Sequence, residues 1–457
     1  MSYYLILFFI FLSLLSRLNL RLSILVLIAI LPSYLIRFHI GPFPTTLLEI
    51  SIIIIFLSWI IENRKNIFPL KLKRKENTRA YPFAWEIIII LIVSFSSIFI
   101  GGLSSAALGI FKAYFLEPII LFILILNNFK GKQGFKQIVN ALSLSILIIS
   151  IIAIWQKITG QFIFNSFWAE AATRRVVSVF GYPNALALFI APILPLILAS
   201  IKLDWRSKKT PIIILKQIFL SLSFLSGLTA IYFSKSKGAI LALIISALIV
   251  LIITLKKRLK IALLLILSIL SLFLYLQKDW WQLKLSASLS YQVRIAQWNE
   301  TITMLKDGNI IYGSGLAKYQ EKIKTYHQEG IFFNREADPD FKRKIIIFDD
   351  KYRAERWQPL EIYLYPHNIF LNFWTELGLA GLIIFSFLIF KFIFLSLKYY
   401  YQTKKDRNFL GLALCASMLI ILLHGLVDVP YFKNDLSALF WIILSLLALL
   451  SYEKNKY

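Results

Sequence analysis

Long apolar runs are the feature that most constrains the fold of this 457-residue chain. A helix needs roughly 20 apolar residues to cross a bilayer, and the chain offers about a dozen such stretches. Only 16% of its residues are charged, whereas a soluble domain has about a quarter. No soluble core could absorb so many apolar runs, so we predict an all-α polytopic membrane protein.

The apolar runs divide the chain into three parts. We predict spans near 3–16, 22–37, 45–61, 84–100, 108–126, 138–158, 184–201, 211–233, 238–255, 260–276, 369–397, 409–427 and 436–452. The first span is short, so the predicted number is twelve or thirteen. The predicted parts are an N-terminal transmembrane bundle (1–276), a long, partly helical segment (277–368) and C-terminal transmembrane helices (369–457).

The placement of the charges predicts which side of the membrane each linker occupies. The net charge is +26, but the Lys and Arg residues are concentrated in short linkers between spans, as the positive-inside rule describes. This pattern excludes nucleic acid as the partner and favours membrane lipid. With the basic linkers in the cytoplasm, the N-terminus lies outside and the C-terminus inside. Segment 277–367, with 14 Lys/Arg and 12 Asp/Glu, is then extracytoplasmic.

The N-terminus and the single cysteine carry further expectations. The N-terminus lacks the basic start and small-residue cleavage site of a signal peptide, so we expect the first helix to be retained. Cys415 is the only cysteine, which excludes an internal disulfide framework and a cysteine metal site. It lies in an apolar run, as a small buried side chain would.

Four cations lie on the predicted outer side, where a positive-inside protein should avoid them. Lys235 and Lys237 lie in a tight turn between two spans, and Arg174 and Arg175 precede a Gly-Tyr-Pro sequence at 181–183. The glycine and proline would break a helix entering the membrane, and irregular backbone at that depth lines a cavity or is buried in protein. These cations either bind an anion such as a lipid phosphate or extend to the headgroups.

Two residues of the long segment are candidates for chemistry. Arg294 lies on an amphipathic helix defined by Tyr291, Ile295, Trp298, Ile302 and Leu305, with Ser290 as the predicted N-cap and Gly308 as its end. A guanidinium suits phosphate or pyrophosphate, although a solvated face or headgroup contact is the alternative. His367 precedes a helix N-terminus, which keeps an imidazole neutral and able to accept a proton; the alternative is an interfacial polar aromatic residue.

Acidic residues give weaker indications. Glu117 and Glu49 are costly intramembrane carboxylates that usually face a bundle interior, and pairing with an exported cation would offset that cost. Asp338-Pro339-Asp340 has the form of a metal motif, but in a polar loop it is more often solvated charge. We predict no metal site. His327 and His39 have no sequence context that indicates function.

Seven short motifs in order resemble the O-antigen ligase and O-antigen polymerase superfamily of bacterial envelope glycosyltransferases. The motifs are Phe-Gly-Tyr-Pro-Asn-Ala-Leu-Ala at 180–187, Ser-Lys-Gly-Ala at 236–239, Tyr-Gln-Val-Arg at 291–294 with Trp298, Gly-Ser-Gly at 313–315, Pro-His-Asn at 366–368, Glu-Leu-Gly-Leu-Ala-Gly at 376–381 and His-Gly-Leu-Val-Asp at 424–428. The resemblance covers about residues 170–450. Each motif is weak alone, but the ordered set around one outer segment is fairly specific.

The resemblance implies a GT-C-like membrane enzyme of the bacterial cytoplasmic (inner) membrane. Such an enzyme transfers a glycan from undecaprenyl pyrophosphate to an acceptor hydroxyl outside the membrane, as a metal-independent inverting glycosyltransferase without a cofactor. By this resemblance Arg294 binds the pyrophosphate and His367 orients or deprotonates the acceptor. Lys237 stands where the family has arginine. The other implied substrate-binding residues are Lys235, Arg174, Arg175, Asn184 and Asn368.

Two questions stay open at this point. Ligase and polymerase are hard to separate, so the acceptor is a glycolipid, a growing glycan or a protein. A transporter or flippase for a lipid-linked glycan is the alternative of a different class, favoured by the broken helix at 181–183 and the intramembrane Glu117. The outer pair Arg294 and His367 discriminates between the classes, because transport does not require it.

Overall fold

The computed structural model describes residues 3–67, 82–205, 210–347, 350–403 and 409–453, which are mostly helical. The N-terminal part contains α1 (Tyr3–Leu18), α2 (Leu20–Ala29), strands β1 (Arg37–Ile40) and β2 (Phe43–Thr46), α3 (Leu47–Ile67), α4 (Ala84–Ile100), α5 (Ser105–Phe111), α6 (Glu117–Asn128), α7 (Gly131–Thr159), α8 (Ser166–Ala169), α9 (Pro183–Ile190), α10 (Leu194–Trp205), α11 (Pro211–Ser234), α12 (Lys237–Thr254) and α13 (Lys257–Leu276).

The remaining elements form the long segment and the last three spans. They are α14 (Lys278–Ser286), α15 (Leu289–Met304), α16 (Tyr319–Ile323), β3 (Gly330–Phe332), α17 (Phe341–Ile346), α18 (Asp350–Arg356), β4 (Trp357–Pro359), α19 (Ile369–Gln402), α20 (Phe409–Gly425) and α21 (Asn434–Glu453). Strands β1 and β2 pair antiparallel, as do β3 and β4.

The helices confirm the predicted all-α polytopic membrane fold. In the described residues, 8 helices or helix pairs are long and apolar enough to span a membrane, and α1, α2, α4 and α20 are shorter apolar helices. The apolar helix α3 has 21 residues. All thirteen predicted spans fall on these helices.

One predicted span, 22–37, is considerably shorter than expected. Helix α2 ends at Ala29, and Pro32 follows in a 3-10 turn that leads into the β1–β2 hairpin. Proline has no amide hydrogen and cannot continue the ladder of a helix interior. The 10 residues of α2 rise only about 15 Å, or half of the hydrocarbon core.

Three other spans are interrupted. A π turn joins α5 to α6, and a 3-10 turn containing Pro192 joins α9 to α10. Within α19, Gly378 has a φ of +71°, a conformation that costs glycine little because it has no Cβ. Gly378 packs against the backbone of Ile311 and Tyr312 in the long segment, so this kink lets the segment lie closely on α19.

Contacts place the connecting segments at two opposite ends of the bundle. At one end Asp204 pairs with Lys136 at 2.5 Å and Lys216 at 3.0 Å, close to basic linkers. At the other end the long segment meets the 426–433 loop, where Arg294 donates to the Val427 carbonyl at 2.8 Å. The second end therefore brings together segments that are far apart in the sequence.

The Gly-Ser-Gly sequence at 313–315 is closely packed. The Ser314 amide donates to the Thr375 carbonyl at 2.6 Å, and a Cβ on Gly315 would lie 2.2 Å from the amide nitrogen of Gly101. Real Cβ atoms do not approach backbone so closely. The absence of a Cβ at these glycines therefore allows the turn to pack closely against α19 and the end of α4. The turn fixes the long segment to the bundle.

Candidate active site

Arg294 lies on α15, as the amphipathic pattern predicts, and its guanidinium is held by backbone. Nε donates to the Val427 carbonyl at 2.8 Å and Nη1 donates to the Ser290 carbonyl at 3.0 Å and to its hydroxyl. Ser290 thus orients Arg294, and the N-cap of α15 is Ser288 instead of Ser290. Among the described residues, Nη2 has no acceptor and no carboxylate pairs with Arg294. The guanidinium is positioned with unused donor capacity.

His367 is held in an unusual backbone conformation beside α15. Its φ is +45°, which is uncommon for a residue with a Cβ and is frequent at functional sites. The Trp298 indole donates to the Pro366 carbonyl at 2.9 Å. Asn368, the N-cap of α19, accepts from the amides of Phe370 and Leu371. The contacts on either side of His367 therefore fix its position.

The hydrogen bonds of Gln297 assign the tautomer of His367. The Gln297 Nε2 donates to the Tyr365 carbonyl at 2.8 Å, which leaves its Oε1 facing Nδ1 of His367 at 3.0 Å. An amide oxygen only accepts, so Nδ1 carries the proton and Nε2 has the lone pair. Nε2 of His367 has no hydrogen-bond partner in the described chain and is free to accept a proton.

Burial keeps His367 neutral. Its ring lies 4.9 Å from the ring of Tyr363 and 5.3 Å from that of Tyr365. Desolvation lowers the pKa of His367 below its usual value, and the charge of Arg294 acts in the same direction, while Asp428 opposes it. The neutral imidazole is the form that accepts a proton from a hydroxyl.

Asn184 and Arg175 belong to a polar network at the start of α9. The Asn184 amide donates to Oδ2 of Asp428 at 3.2 Å, and Arg175 donates to the Asn184 side-chain oxygen at 3.4 Å and to the Ser234 carbonyl at 2.9 Å. The guanidinium of Arg175 also lies 4.7 Å from the Trp168 ring, and desolvation lowers its pKa. This network connects the 160–182 segment, α9 and α11 to the 426–433 loop.

Asn368 links the same loop to the long segment. Its side-chain amide donates to the Leu426 carbonyl at 3.1 Å, next to Val427, which binds Arg294. The structure therefore brings together five predicted site residues, which are Arg294, His367, Asn368, Asn184 and Arg175.

Three other predicted cations are placed differently. Arg174 turns away, donating to the Lys157 carbonyl near the end of α7 at 3.0 Å and to the Ala169 carbonyl at the end of α8 at 3.3 Å. Lys235 is exposed and donates to the Thr173 carbonyl at 3.3 Å. Lys237 is exposed at the start of α12, and its side chain has no hydrogen bond to another described residue. Within the described residues, no hydrogen bond or ion pair joins these three cations to Arg294 or His367.

Three further residues of the site, Lys433, Tyr182 and Tyr365, were not predicted individually from the sequence, although Tyr182 lies in the motif at 180–187. The Lys433 ammonium donates to the Tyr182 hydroxyl and lies 4.0 Å from the centre of its ring. The Tyr182 and Tyr365 hydroxyls are 2.9 Å apart. Lys433 lies in a predicted outer segment, so the charge argument that selected Lys235 and Lys237 could also have selected it.

The two intramembrane carboxylates selected from the sequence, Glu49 and Glu117, share one lysine. Lys112, in the π turn, lies 2.6 Å from Oε2 of Glu49 and 3.7 Å from Oε1 of Glu117. Asn434 donates to the other oxygen of Glu49 at 2.9 Å. Lys112 belongs to the same span as Glu117, and α3 brings Glu49 beside it, so in the described chain the four predicted outer cations are not the partners of these carboxylates.

Asp338 of the Asp-Pro-Asp sequence is engaged by protein donors. Its Oδ2 accepts from Lys344 at 2.7 Å and from the Tyr352 hydroxyl at 2.8 Å, and its Oδ1 accepts from the Asp340 amide at 2.9 Å. The carboxylate thus stabilises the turn that begins α17. The sequence suggested solvated charge here, whereas the structure shows a carboxylate bonded to protein donors.

Comparison with known proteins supports the ordered motifs. Residues 222–386 match the family described as O-antigen ligase, a range that begins within α11 and ends within α19. It contains Lys237, Arg294, His367 and Asn368, whereas Arg175, Asn184 and Asp428 lie outside it. No curated protein matches the chain. The family match confirms the resemblance that the motifs indicate: over residues 222–386, this multi-pass membrane protein is similar to the O-antigen ligase family.

Proposed function

We propose that the protein transfers a glycan from undecaprenyl pyrophosphate to an acceptor hydroxyl on the extracytoplasmic side of the bacterial cytoplasmic membrane. One observation carries the proposal: a neutral imidazole with a free Nε2 lies in the same site as a guanidinium that has no carboxylate partner. A base and an anion-binding group are the two functions that such a transfer requires.

The donor side of the reaction depends on Arg294 and its neighbours. The free Nη2 of Arg294 is available to a phosphate oxygen, and Arg175 adds a second positive charge to the site. As the bond between the anomeric carbon and the pyrophosphate oxygen breaks, negative charge develops on the leaving group. Preorganised cations stabilise that charge more than they stabilise the ground state, so a metal ion is not needed for this step.

The acceptor side depends on His367. Its Nε2 removes the proton of the acceptor hydroxyl while the oxygen forms a bond to the anomeric carbon, and the pyrophosphate leaves with the electron pair of the broken bond. The Nδ1–H of His367 stays hydrogen-bonded to Gln297 Oε1, which stabilises the imidazolium that forms. A single displacement of this kind inverts the anomeric configuration.

The placement outside the cytoplasm rests on charge. The end of the bundle opposite the site carries the basic linkers, and the positive-inside rule assigns that end to the cytoplasm. A lipid-linked glycan in the outer leaflet would then reach Arg294 and His367 from the membrane side. The acceptor is a glycolipid, a growing glycan or a protein, and the loops of the long segment would select it.

A single strain series tests the proposal. Cells that carry His367→Ala or Arg294→Ala should lose glycan transfer and accumulate lipid-linked glycan in the outer leaflet. Matched controls are His39→Ala on strand β1 and Arg335→Ala on the long segment, which are exposed. The controls should transfer normally. Leaflet-resolved labelling of the lipid-linked glycan measures the outcome.

The same experiment separates an enzyme from a flippase. A flippase variant would leave its cargo in the inner leaflet, because the transport step itself would fail. Inner-leaflet accumulation in the His367→Ala strain would contradict the transferase proposal. Normal transfer in that strain would remove His367 from the reaction.

A further inference from the structure

Lys433 is a partly buried cation that sequence motifs do not explain. It is the last residue of the 426–433 loop, immediately before α21. Burial lowers the pKa of its ammonium group; the charges of Asp435 and Asp428 oppose that shift, and the charge of Arg37 adds to it. Removing an ammonium group from water costs several kcal/mol unless other groups compensate for its charge. The partners of Lys433 therefore indicate what this residue is for.

The protein supplies fewer hydrogen-bond acceptors than the Lys433 ammonium group has donors. An ammonium group has three donors, and the Tyr182 hydroxyl is its one side-chain acceptor among the described residues. No carboxylate of the described chain pairs with Lys433 within 4.0 Å. The charges of Asp435 and Asp428 act on Lys433 from nearby, but neither carboxylate forms an ion pair with it, and the Asp428 oxygens accept from the Val429 amide and the Asn184 side chain. Two donors of a partly buried cation thus remain for another acceptor.

A chain of contacts joins Lys433 to the proposed base. Lys433 donates to Tyr182, whose hydroxyl lies 2.9 Å from that of Tyr365. The Tyr365 ring lies 5.3 Å from the His367 ring, and its carbonyl accepts from Gln297. The charges of Lys433 and Arg294 both act on the His367 imidazole. Lys433 and Arg294 therefore belong to one site, although they come from different parts of the chain.

We propose that Lys433 binds a phosphate oxygen of the glycan donor, with Arg294 as the other cation at the pyrophosphate. The inference rests on the proposed function, which supplies the anionic ligand. Tyr182 holds the ammonium in place through its hydroxyl and ring face, and the two free donors of Lys433 meet the phosphate. In this arrangement the partly buried Lys433 has the role that the superfamily resemblance implies for Lys237, which is exposed.

Binding of three lipids to the purified full chain in lipid nanodiscs tests this inference. The probes are undecaprenyl pyrophosphate, undecaprenyl phosphate and undecaprenol, which share the tail and differ in charge. Lys433→Gln keeps a donor for Tyr182 but has no charge, and Lys433→Met removes both. The matched control is Lys391→Gln, because Lys391 is a partly buried lysine that pairs with Glu86 at 2.5 Å in another part of the bundle.

We expect Lys433→Gln to weaken pyrophosphate binding at least about tenfold, since one charge-assisted hydrogen bond is worth that much. Undecaprenol binding and the melting temperature should stay near those of the unaltered protein, and Lys391→Gln should bind all three lipids normally. Lys433→Gln reports on the charge even when Lys433→Met does not fold.

Three results would overturn the inference. If a folded Lys433→Gln protein binds undecaprenyl pyrophosphate with unchanged affinity, Lys433 has only a structural role. The same conclusion follows if Lys433→Gln weakens the binding of undecaprenol as much as that of the pyrophosphate. If Lys237→Gln instead abolished binding while Lys433→Gln had no effect, the second cation would be Lys237. An unaltered protein that binds undecaprenol as tightly as the pyrophosphate would contradict the proposed function itself.

Discussion

Gln297 offers a direct test of the assigned tautomer, because it touches the proposed base without being placed to touch the substrate. Its side chain is 5% exposed and makes two hydrogen bonds, to the Tyr365 carbonyl and to Nδ1 of His367. Gln297→Leu has a similar volume and removes both bonds. Gln297→Glu keeps an acceptor at Nδ1 and adds a negative charge.

The expected size of each effect follows from these contacts. Gln297→Leu leaves a buried carbonyl and a buried imidazole N–H without partners, at about 1–3 kcal/mol for each group. It also frees the imidazole to move its proton to Nε2, the nitrogen that must accept. A comparable cost in the transition state slows transfer roughly 10- to 100-fold. Gln297→Glu should raise the pKa of His367, because a carboxylate stabilises the imidazolium.

The assay is the rate of glycan transfer by the purified protein between pH 5 and 9, with donor binding measured in parallel. The acid limb of the profile should move to higher pH in Gln297→Glu, and the rate at its optimum should fall in Gln297→Leu while donor affinity changes little. An acid limb at the same pH in Gln297→Glu and the unaltered protein would refute the assignment of His367 as the base.

Three further predictions concern pH, packing and topology. Because burial lowers the pKa of His367, the transfer rate of the unaltered protein should stay level near pH 7 and fall only as the pH drops below about 6.5. Gly315→Ala should destabilise the protein by more than about 2 kcal/mol, because its Cβ would overlap Gly101; the melting temperature in detergent measures the loss. The control is Gly102→Ala, where φ is +80° and the space around the residue is open, so this variant should lose less stability. Equal losses in the two variants would attribute the effect to backbone strain alone. Reporter fusions after Lys132 should read cytoplasmic and those near Ala337 extracytoplasmic, and an inward reading at Ala337 would overturn the topology.

The sequence predicted the helical, membrane-spanning type of the long elements, because that type depends on local physics. The hydrocarbon thickness fixes how long an apolar run must be, and basic linkers alternate with the predicted spans. The 3.6-residue period located α15 but not its buried face: Gln297, Glu300, Thr301 and Met304 are buried, whereas Tyr291 and Ile302 of the predicted apolar face are exposed. The same rules failed at 22–37, where Pro32 ends the helix and the β1–β2 hairpin takes over, since an apolar run does not reveal its backbone conformation.

Tertiary contacts decided which of the predicted site residues lie in the site and which lie elsewhere. Arg174 and Arg175 are adjacent in the sequence and equally charged, yet Arg174 binds the end of α7 and Arg175 binds Asn184. No local property distinguishes them. Which of two neighbouring side chains faces a site depends on the path of the backbone relative to other helices, and that path is set by packing across the whole bundle.

The sequence by itself determined that this chain is a helical membrane protein with a long segment between spans that carries Arg294 and His367. Only the tertiary structure decided that Gln297 orients the imidazole and that Lys433 lies in the same site. The hydrogen bond from Lys433 to Tyr182 and that from Gln297 to Tyr365 join residues separated by 251 and 68 positions. Periodicity locates a helix, but hydrogen bonds over such separations depend on how the helices pack, which no local pattern encodes.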